Sequence, residues 1–478
     1  ISDASMVVAL LPSVGLALHL IVVRARALPI PAARPLEGRE GQAERLSPDE
    51  LPRLRLLLDR ALQPIGRFNG FDHLDQFQTA ALRYQVNFIA YALAAVQARY
   101  LPAYEGHLAE AQRRLLAKLG EPVVWSYWKA EAAWGQFRWN ADPVARDNIM
   151  YSGFAALQMG LGGGNELKLN GKAGDEVARY TSGDLAQALS AQYETAPLGL
   201  VACEPGWIYP LCNAMTACGL AGLDARHGTD HWPSVRDTFA RHLADDFTTS
   251  GQRFIPARSS LTGTAMPPLG GVVPEAMTCL FLNAVLPDVA DKHWSVIAKR
   301  LRGGLRKRDF WPVDNGNYRL GRGAALAGTA AAAAEMGDLD LRDDLLAWLD
   351  REHPEVSDGA SRHRPGVSLW SHAVEVMARH GDTGLLSTMV NSPQRARLRI
   401  ETLNWPEVQP LAAHVEGTRL NATLWSDGPT FAELTIMGLF AKQACVISGT
   451  THLADADGRL ALRLPVHGET RFTLEALV

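Results

Sequence analysis

From Ser47 to about residue 393, apolar side chains recur at the three-and-four spacing of an amphipathic helix, and alternating runs are almost absent. This pattern excludes most folds, because helices that each carry one apolar stripe must bury it against one another when no sheet is there to receive it. The clearest segments are 77–98, 104–119, 144–161, 175–193, 232–246, 274–285, 323–336, 339–351 and 368–379. Ser47-Pro48-Asp49-Glu50 opens the series with a cap serine, a first-position proline and acids suited to the helix dipole. Ten or more helices in roughly 340 residues are too many for a four-helix bundle. No repeat period marks a solenoid. The expectation for residues 49–393 is therefore a mainly α domain closed into a helical toroid.

Both ends depart from that pattern. Residues 6–23 are apolar and carry no formal charge, close to the ~20 residues that a membrane-crossing helix needs. A cleaved signal peptide fits less well, since the charges at Arg24 and Arg26 follow the apolar run. Residues 1–26 are expected to be a membrane helix, truncated at Ile1, and the proline-rich stretch 27–48 a linker. Arg24, Arg26, Arg34 and Arg39 would keep the body of this membrane-anchored chain on the cytoplasmic side. Residues 394–478 change to short alternating runs at 397–403, 418–425, 431–436, 443–447, 459–464 and 470–474, divided by Asp427-Gly428-Pro429, Asp455–Gly458 and His467-Gly468. They predict a β-sandwich-like domain or a sheet that caps the helical body.

The charge balance narrows the partners. With 51 acids, 47 bases and a net charge of −4, the chain has no basic field for nucleic acid, so small molecules or proteins are the expected partners. Five cysteines are an odd number, which leaves at least one thiol free. Cys218 and Cys279 fall in apolar helical patterns and Cys445 in a strand, so they read as core. Cys203 and Cys212 instead flank a proline-broken aromatic loop, Cys203-Glu-Pro-Gly-Trp-Ile-Tyr-Pro-Leu-Cys212, that runs into a helix near Asn213. There the first-turn N–H groups favour a thiolate and suit acid–base work. A disulfide, a metal site and plain core packing are the competing readings of the pair. Three more stretches are richer in polar or aromatic groups than packing needs: Asp72-His73-Leu74-Asp75 before the helix of Tyr84, the cluster Trp125, Trp128, Trp134 and Trp139, and His227-Gly-Thr-Asp-His231.

Taken in order, Val124-Trp-Ser-Tyr-Trp128, Asp142-Pro143, Asn148-Ile-Met-Tyr-Ser-Gly153, Cys203-Glu-Pro205 with Cys212-Asn213, and His227-Gly-Thr-Asp230 resemble the bacterial linalool dehydratase/isomerase family. The resemblance covers most of the helical body and neither end. It implies an (α/α)6 barrel, a homo-oligomer, and a buried apolar pocket in which an allylic terpenoid alcohol is dehydrated or isomerised without metal or organic cofactor. It assigns Cys203 and Cys212 to catalysis together with Tyr84, and the family's carboxylate to Asp59, or to Asp72 and Asp75. Trp128, Tyr151, Phe154, Glu204 and Tyr209 would contact substrate. Phe154 stands where the family has a catalytic histidine, and Arg67 and Gly120 lie near the places of its structural disulfide. A carbohydrate-active toroid using Asp72, Asp75 and Glu204, and a membrane-tethered binding protein, are the alternatives.

Overall fold

The computed structural model describes residues 45–74, 80–139, 142–267, 271–310, 321–392 and 396–477. The segment expected to cross a membrane, most of the linker and Asp75 lie outside them. Among the described residues no helix is long and apolar enough to span a bilayer.

Twelve helices build the body: α1 (Leu51–Ala61), α2 (Ala80–Tyr100), α3 (Gly106–Leu119), α4 (Ile149–Gly160), α5 (Ser182–Thr195), α6 (Pro210–His227), α7 (His231–Phe247), α8 (Val273–Val285), α9 (Pro287–Arg302), α10 (Gly323–Glu335), α11 (Leu339–Glu352) and α12 (Leu369–His380). The even-numbered helices form an inner ring in which each packs on the next and α12 closes on α2. The odd-numbered helices lie outside them. Composition sorts the two layers. Every residue of α4 and α10 is buried, as befits helices apolar all round, whereas α1, α3 and α9 bury one apolar stripe and keep their charges outside it, apart from the buried Lys118 of α3. At the start, Ser47 forms a capping box with Glu50 over a single 3-10 turn that leads into α1.

Two expectations for the connections are corrected. Residues 175–193 are not one helix: Glu176–Thr181 pairs as β2 with β1 (Glu166–Asn170) in a hairpin. The helix begins only at Ser182, where Thr181 and Asp184 form a capping box. Likewise α4 starts at Ile149 rather than 144, after the Asp142 carboxylate has accepted the Val144 N–H at 2.9 Å. Shorter pairings are β3 (Trp207–Ile208) with β4 (Arg258–Ser259), and β5 (Val356–Asp358) with β6 (Ser361–His363).

The tail is one antiparallel sheet of six strands rather than a sandwich: β7 (Arg399–Leu403), β8 (Gln409–Glu416), β9 (Arg419–Met437), β10 (Ala444–Ile447), β11 (Thr450–Leu453) and β12 (Leu460–Ala476). The punctuation at Asp427-Gly428-Pro429 and His467-Gly468 does not break the strands. The two stretches lie opposite one another, and the register shifts between Val466 and Gly468, so β9 and β12 continue past the irregularity together. The sheet docks on the α2–α3 connection, where Ala103 and Glu105 share backbone hydrogen bonds with Ile400 and Ala413. One hydrophobic core runs through body and tail.

At the C-terminal end of the inner ring, Glu335 of α10 is 4% exposed. Its carboxylate accepts the backbone N–H groups of Leu386 (2.7 Å) and Ser387 (3.1 Å) and the Asn283 amide (2.8 Å). It thereby anchors the short helix Leu385–Asn391. Burial outweighs these donors and pushes its pKa up from 4.5 to about 7. Because the folded value lies above the unfolded one, the folded chain holds this proton more tightly. Stability from this group is therefore full below about pH 4.5 and is lost as pH rises through about 7. Glu335→Gln should flatten that part of the stability curve by on the order of 1–3 kcal/mol, read by urea unfolding at several pH values. An unchanged slope would show that Glu335 does not titrate in this window.

Candidate active site

The inner helices surround a small cavity, about 40 Å³ in volume, lined by Tyr84, Phe88, Met150, Phe154, Leu211, Met215, Val273, Pro274, Met277, Phe281 and Trp370. Its construction is regular. Tyr84 and Phe88, Met150 and Phe154, Leu211 and Met215, and Val273, Met277 and Phe281 are each four residues apart, so α2, α4, α6 and α8 each contribute one inward stripe. They come chiefly from the N-terminal turns of five inner helices, which places the cavity at one end of the ring. Tyr84 and Phe88 each meet Phe154 and Trp370 edge-on, with ring centroids 5.1 to 6.1 Å apart. The wall is thus rigid and aromatic on one side and sulfur-rich and pliable on the other.

Cys203 and Cys212 are not part of this lining; both are 3% exposed and unbridged, and both act electrostatically on Tyr84 of the wall. Cys212 lies on α6 between the wall residues Leu211 and Met215, and the preceding loop brings Cys203 near enough for the two thiols to act on one another. The loop is fixed by Asn213, fully buried, whose Oδ1 accepts the Val201 N–H at 2.9 Å while Nδ2 donates to the carbonyls of Val201 (3.0 Å) and Tyr209 (2.9 Å). A tight turn adds to it, with Cys203 N–H on the Trp207 carbonyl and Trp207 N–H on that of Glu204. Burial pushes the Cys212 thiol well up, and Cys203 and Glu204 add to the effect against the opposing pull of Arg83. The neutral thiol is therefore the resting form. Tyr84 is also pushed up, first by burial, and feels Arg83, Cys212, Cys203 and Glu204 in turn. Its hydroxyl makes no hydrogen bond among the described residues and is free for a ligand.

The remaining sequence-derived candidates separate. Phe154 is in the wall. Glu204 is exposed at the loop tip, with Tyr209 Oη 3.5 Å from its Oε2. Tyr151 is buried and donates to the Leu119 carbonyl at 2.9 Å, so it ties α4 to α3 instead of facing the cavity. Trp128 is buried outside the lining, and Trp125 donates to the Asn170 carbonyl at 3.0 Å. Trp139 is exposed, so the tryptophans do not gather into one wall. Asp59 pairs with Arg55 at 2.6 Å on the outer helix α1, and Arg55 in turn stacks on Trp405 of the tail. Asp72 accepts the N–H groups of Leu369 (2.7 Å) and Leu74 (3.0 Å) and so positions the start of α12, next to Trp370. The structure thus gives both aspartates other partners and does not bring them to the thiols. His227-Gly-Thr-Asp230 forms the α6–α7 corner around the Asp224 carboxylate, and at 1.5 Å per residue lies about 22 Å along α6 from Cys212.

One acid and one cation escaped the sequence reading of the site. Arg83 lies with its guanidinium carbon 4.6 Å from the centre of the Tyr127 ring. Glu131 is partly buried, and its carboxyl is pushed up first by burial, with Glu204 adding to the effect and Arg83 opposing it. Gly135, one turn beyond Glu131 on the helix Trp128–Gln136, abuts Pro205 and so holds this helix against the thiol loop. Glu131, the one acid of that short helix, carried no signal of its own in the sequence. Among the described residues no three His, Cys, Asp or Glu side chains are grouped to hold a metal ion.

Solved structures with related backbones include an unsaturated glucuronyl hydrolase specific for heparin, 13% identical, covering 69% of this chain and 95% of its own, with a TM-score of 0.43. A GH127 β-L-arabinofuranosidase from Geobacillus stearothermophilus T6 is 11% identical, covering 90% of this chain and 76% of its own, with a TM-score of 0.19. Likenesses of this size assign nothing. A sequence match is more telling: the linalool dehydratase/isomerase family model matches residues 83–370, from Arg83 beside the thiols to Trp370 in the cavity wall. That span is more than half of the 478 residues. The chain belongs to the linalool dehydratase/isomerase family.

Proposed function

We propose that this chain is a hydro-lyase or isomerase of an unsaturated, terpenoid-like alcohol, with the closed ring serving as the family's (α/α)6 barrel. The observation that carries the reading is a buried pair of thiols, Cys212 held in its neutral form, close to Tyr84 in the wall of an apolar, aromatic cavity. The hydrocarbon part of the substrate occupies the space among Phe88, Phe154, Met277 and Trp370. Its hydroxyl meets the unpartnered phenol of Tyr84.

Loss of water from such a carbon needs a proton on the departing oxygen and removal of another from the neighbouring carbon. The Cys212 thiol, kept protonated by burial, donates the first. The C–O bond breaks with its electron pair leaving on water, and the allylic cation that remains is faced by the rings of Tyr84, Phe88, Phe154 and Trp370. The thiolate of the Cys203–Cys212 pair then takes the proton from the adjacent carbon, the alkene forms, and both thiols are restored. Return of water to the far end of the allyl cation gives the isomer instead. Phe154 in place of the family histidine removes a titratable group from this wall and adds an aromatic face. With no carboxylate in the lining, the cavity favours an apolar substrate over a sugar.

Cys203→Ala and Cys212→Ala should each lower turnover of the best C8–C10 alkenol by about 100-fold or more, followed by headspace gas chromatography, with circular dichroism unchanged. Turnover that survives both substitutions would sink the thiol mechanism. Tyr84→Phe removes one oxygen from the wall and should lower kcat about 10-fold or more with little change in KM. An increase in KM alone would make Tyr84 a general contact rather than the group that orients the hydroxyl.

A further inference from the structure

Beside the thiols lies a cation to which no described residue is hydrogen-bonded. Arg83 is 4% exposed, and its Nε and Nη1 are buried with no hydrogen-bond acceptor among the described residues. Other deeply buried guanidiniums are served differently: Arg364 is held by Glu375, Asp350 and Glu355, and Arg342 by Asp343 and the Gly381 carbonyl. Arg83 has the Tyr127 ring at 4.6 Å and the Tyr84 ring at 5.8 Å from its Cζ. Stacking on phenols offsets part of the desolvation but leaves the N–H donors unmet. A guanidinium cannot shed its proton to escape burial, so the charge stays. Glu131 and Glu204 are the acids nearest in effect, and neither is hydrogen-bonded to it among the described residues. The free nitrogens are shut off from bulk water and no described residue accepts from them, so a group that enters the interior is placed to supply the acceptor.

We propose that Arg83, next to the Tyr84 ring of the cavity wall though not itself in the lining, is the anion-recognition group of the site, and that the alcohol this chain takes carries a carboxylate at its polar end. The inference rests on the preceding reading for the place where substrate binds. A lone hydroxyl can meet one N–H, whereas a carboxylate offers two oxygens with several lone pairs to a planar guanidinium. The N-terminal turns of the inner helices, gathered at this end of the ring, add positive potential in the same direction. Glu131 and Glu204 set the limit: a group with one negative charge is tolerated beside them better than a doubly charged phosphate.

The test uses octanoate and 1-octanol, saturated probes that fit the apolar wall and cannot form an allylic cation, titrated calorimetrically into the intact chain near neutral pH. Octanoate is expected to bind at least about tenfold more tightly than octanol. Arg83→Met should remove that advantage while changing octanol affinity by no more than about twofold, and Arg83→Lys should restore part of it. Octanol bound as tightly as octanoate by the unaltered chain, or an octanoate advantage that persists in Arg83→Met, overturns the inference and leaves the alcohol site standing. Binding of neither probe overturns both. Should Arg83→Met fail to fold, the octanoate-to-octanol ratio of the unaltered chain decides alone.

Discussion

The approach of α4 to α6 sets the geometry on which the ring and its site depend. A β-carbon at Gly153 would collide with the Thr216 hydroxyl, one at Gly219 with the backbone of Leu157, and Gly160 faces Gly222. The two helices therefore meet almost backbone to backbone. The Thr216 hydroxyl lies 3.1 Å from the Ile149 carbonyl and 2.9 Å from that of Cys212, tying the start of one helix to the thiol turn of the other. Any larger residue in this seam would cost about 1–3 kcal/mol in overpacking and would also part the Met150–Phe154 stripe from the Leu211–Met215 stripe. Stability and site geometry are thus one constraint here.

That seam explains what could be read from the sequence. Apolar periodicity located the ring helices, because α4 and α10 must be apolar on every face and the outer helices on only one. It could not locate the cavity, since an inward stripe such as Tyr84–Phe88 or Val273–Met277–Phe281 has the same four-residue spacing as a core stripe. The thiol loop was legible because Pro205 breaks the segment ahead of α6 and Pro210 suits that helix's first position, and the fold uses Asn213, in the first turn, as the lock on the loop. Asp59 and Asp72 were misleading for a physical reason. An acid before or within a helix has the same appearance whether it caps, pairs or catalyses, and here Arg55 and the Leu369 N–H claim them. Arg83 was passed over because a lone arginine in an apolar helix reads as a snorkelling surface residue, and only its stacking on Tyr127 reveals otherwise.

Polar burial is handled in two ways. Near α11, α12 and the β5–β6 hairpin, Arg364 sits among Glu375, Asp350 and Glu355, while Arg379 also pairs with Glu375. Each charge there has several opposite neighbours, which holds the Glu375 carboxyl down near 2 despite its burial. Around the thiols the opposite holds: Cys212 and Tyr84 are pushed toward their neutral forms. A network closed on itself can only support structure. Polar groups left short of partners beside an empty apolar space are available to a ligand.

The tail belongs to the same logic. Its backbone pairs with Ala103 and Glu105 directly beyond α2, and its Trp405 stacks on His107 of α3 at 4.7 Å and under Arg55 of α1 at 4.6 Å. Burial lowers His107 to about 3, so this contact stays uncharged across the range in which the protein works. The sheet therefore grips the C-terminal end of the helix whose N-terminal turns carry Arg83 and Tyr84. At 21 residues α2 is a rod of about 31 Å, so bracing its far end limits how far its near end can tilt into or out of the cavity. A domain remote from the thiols thus bears on the site through one rigid helix, with no residue of its own in the wall.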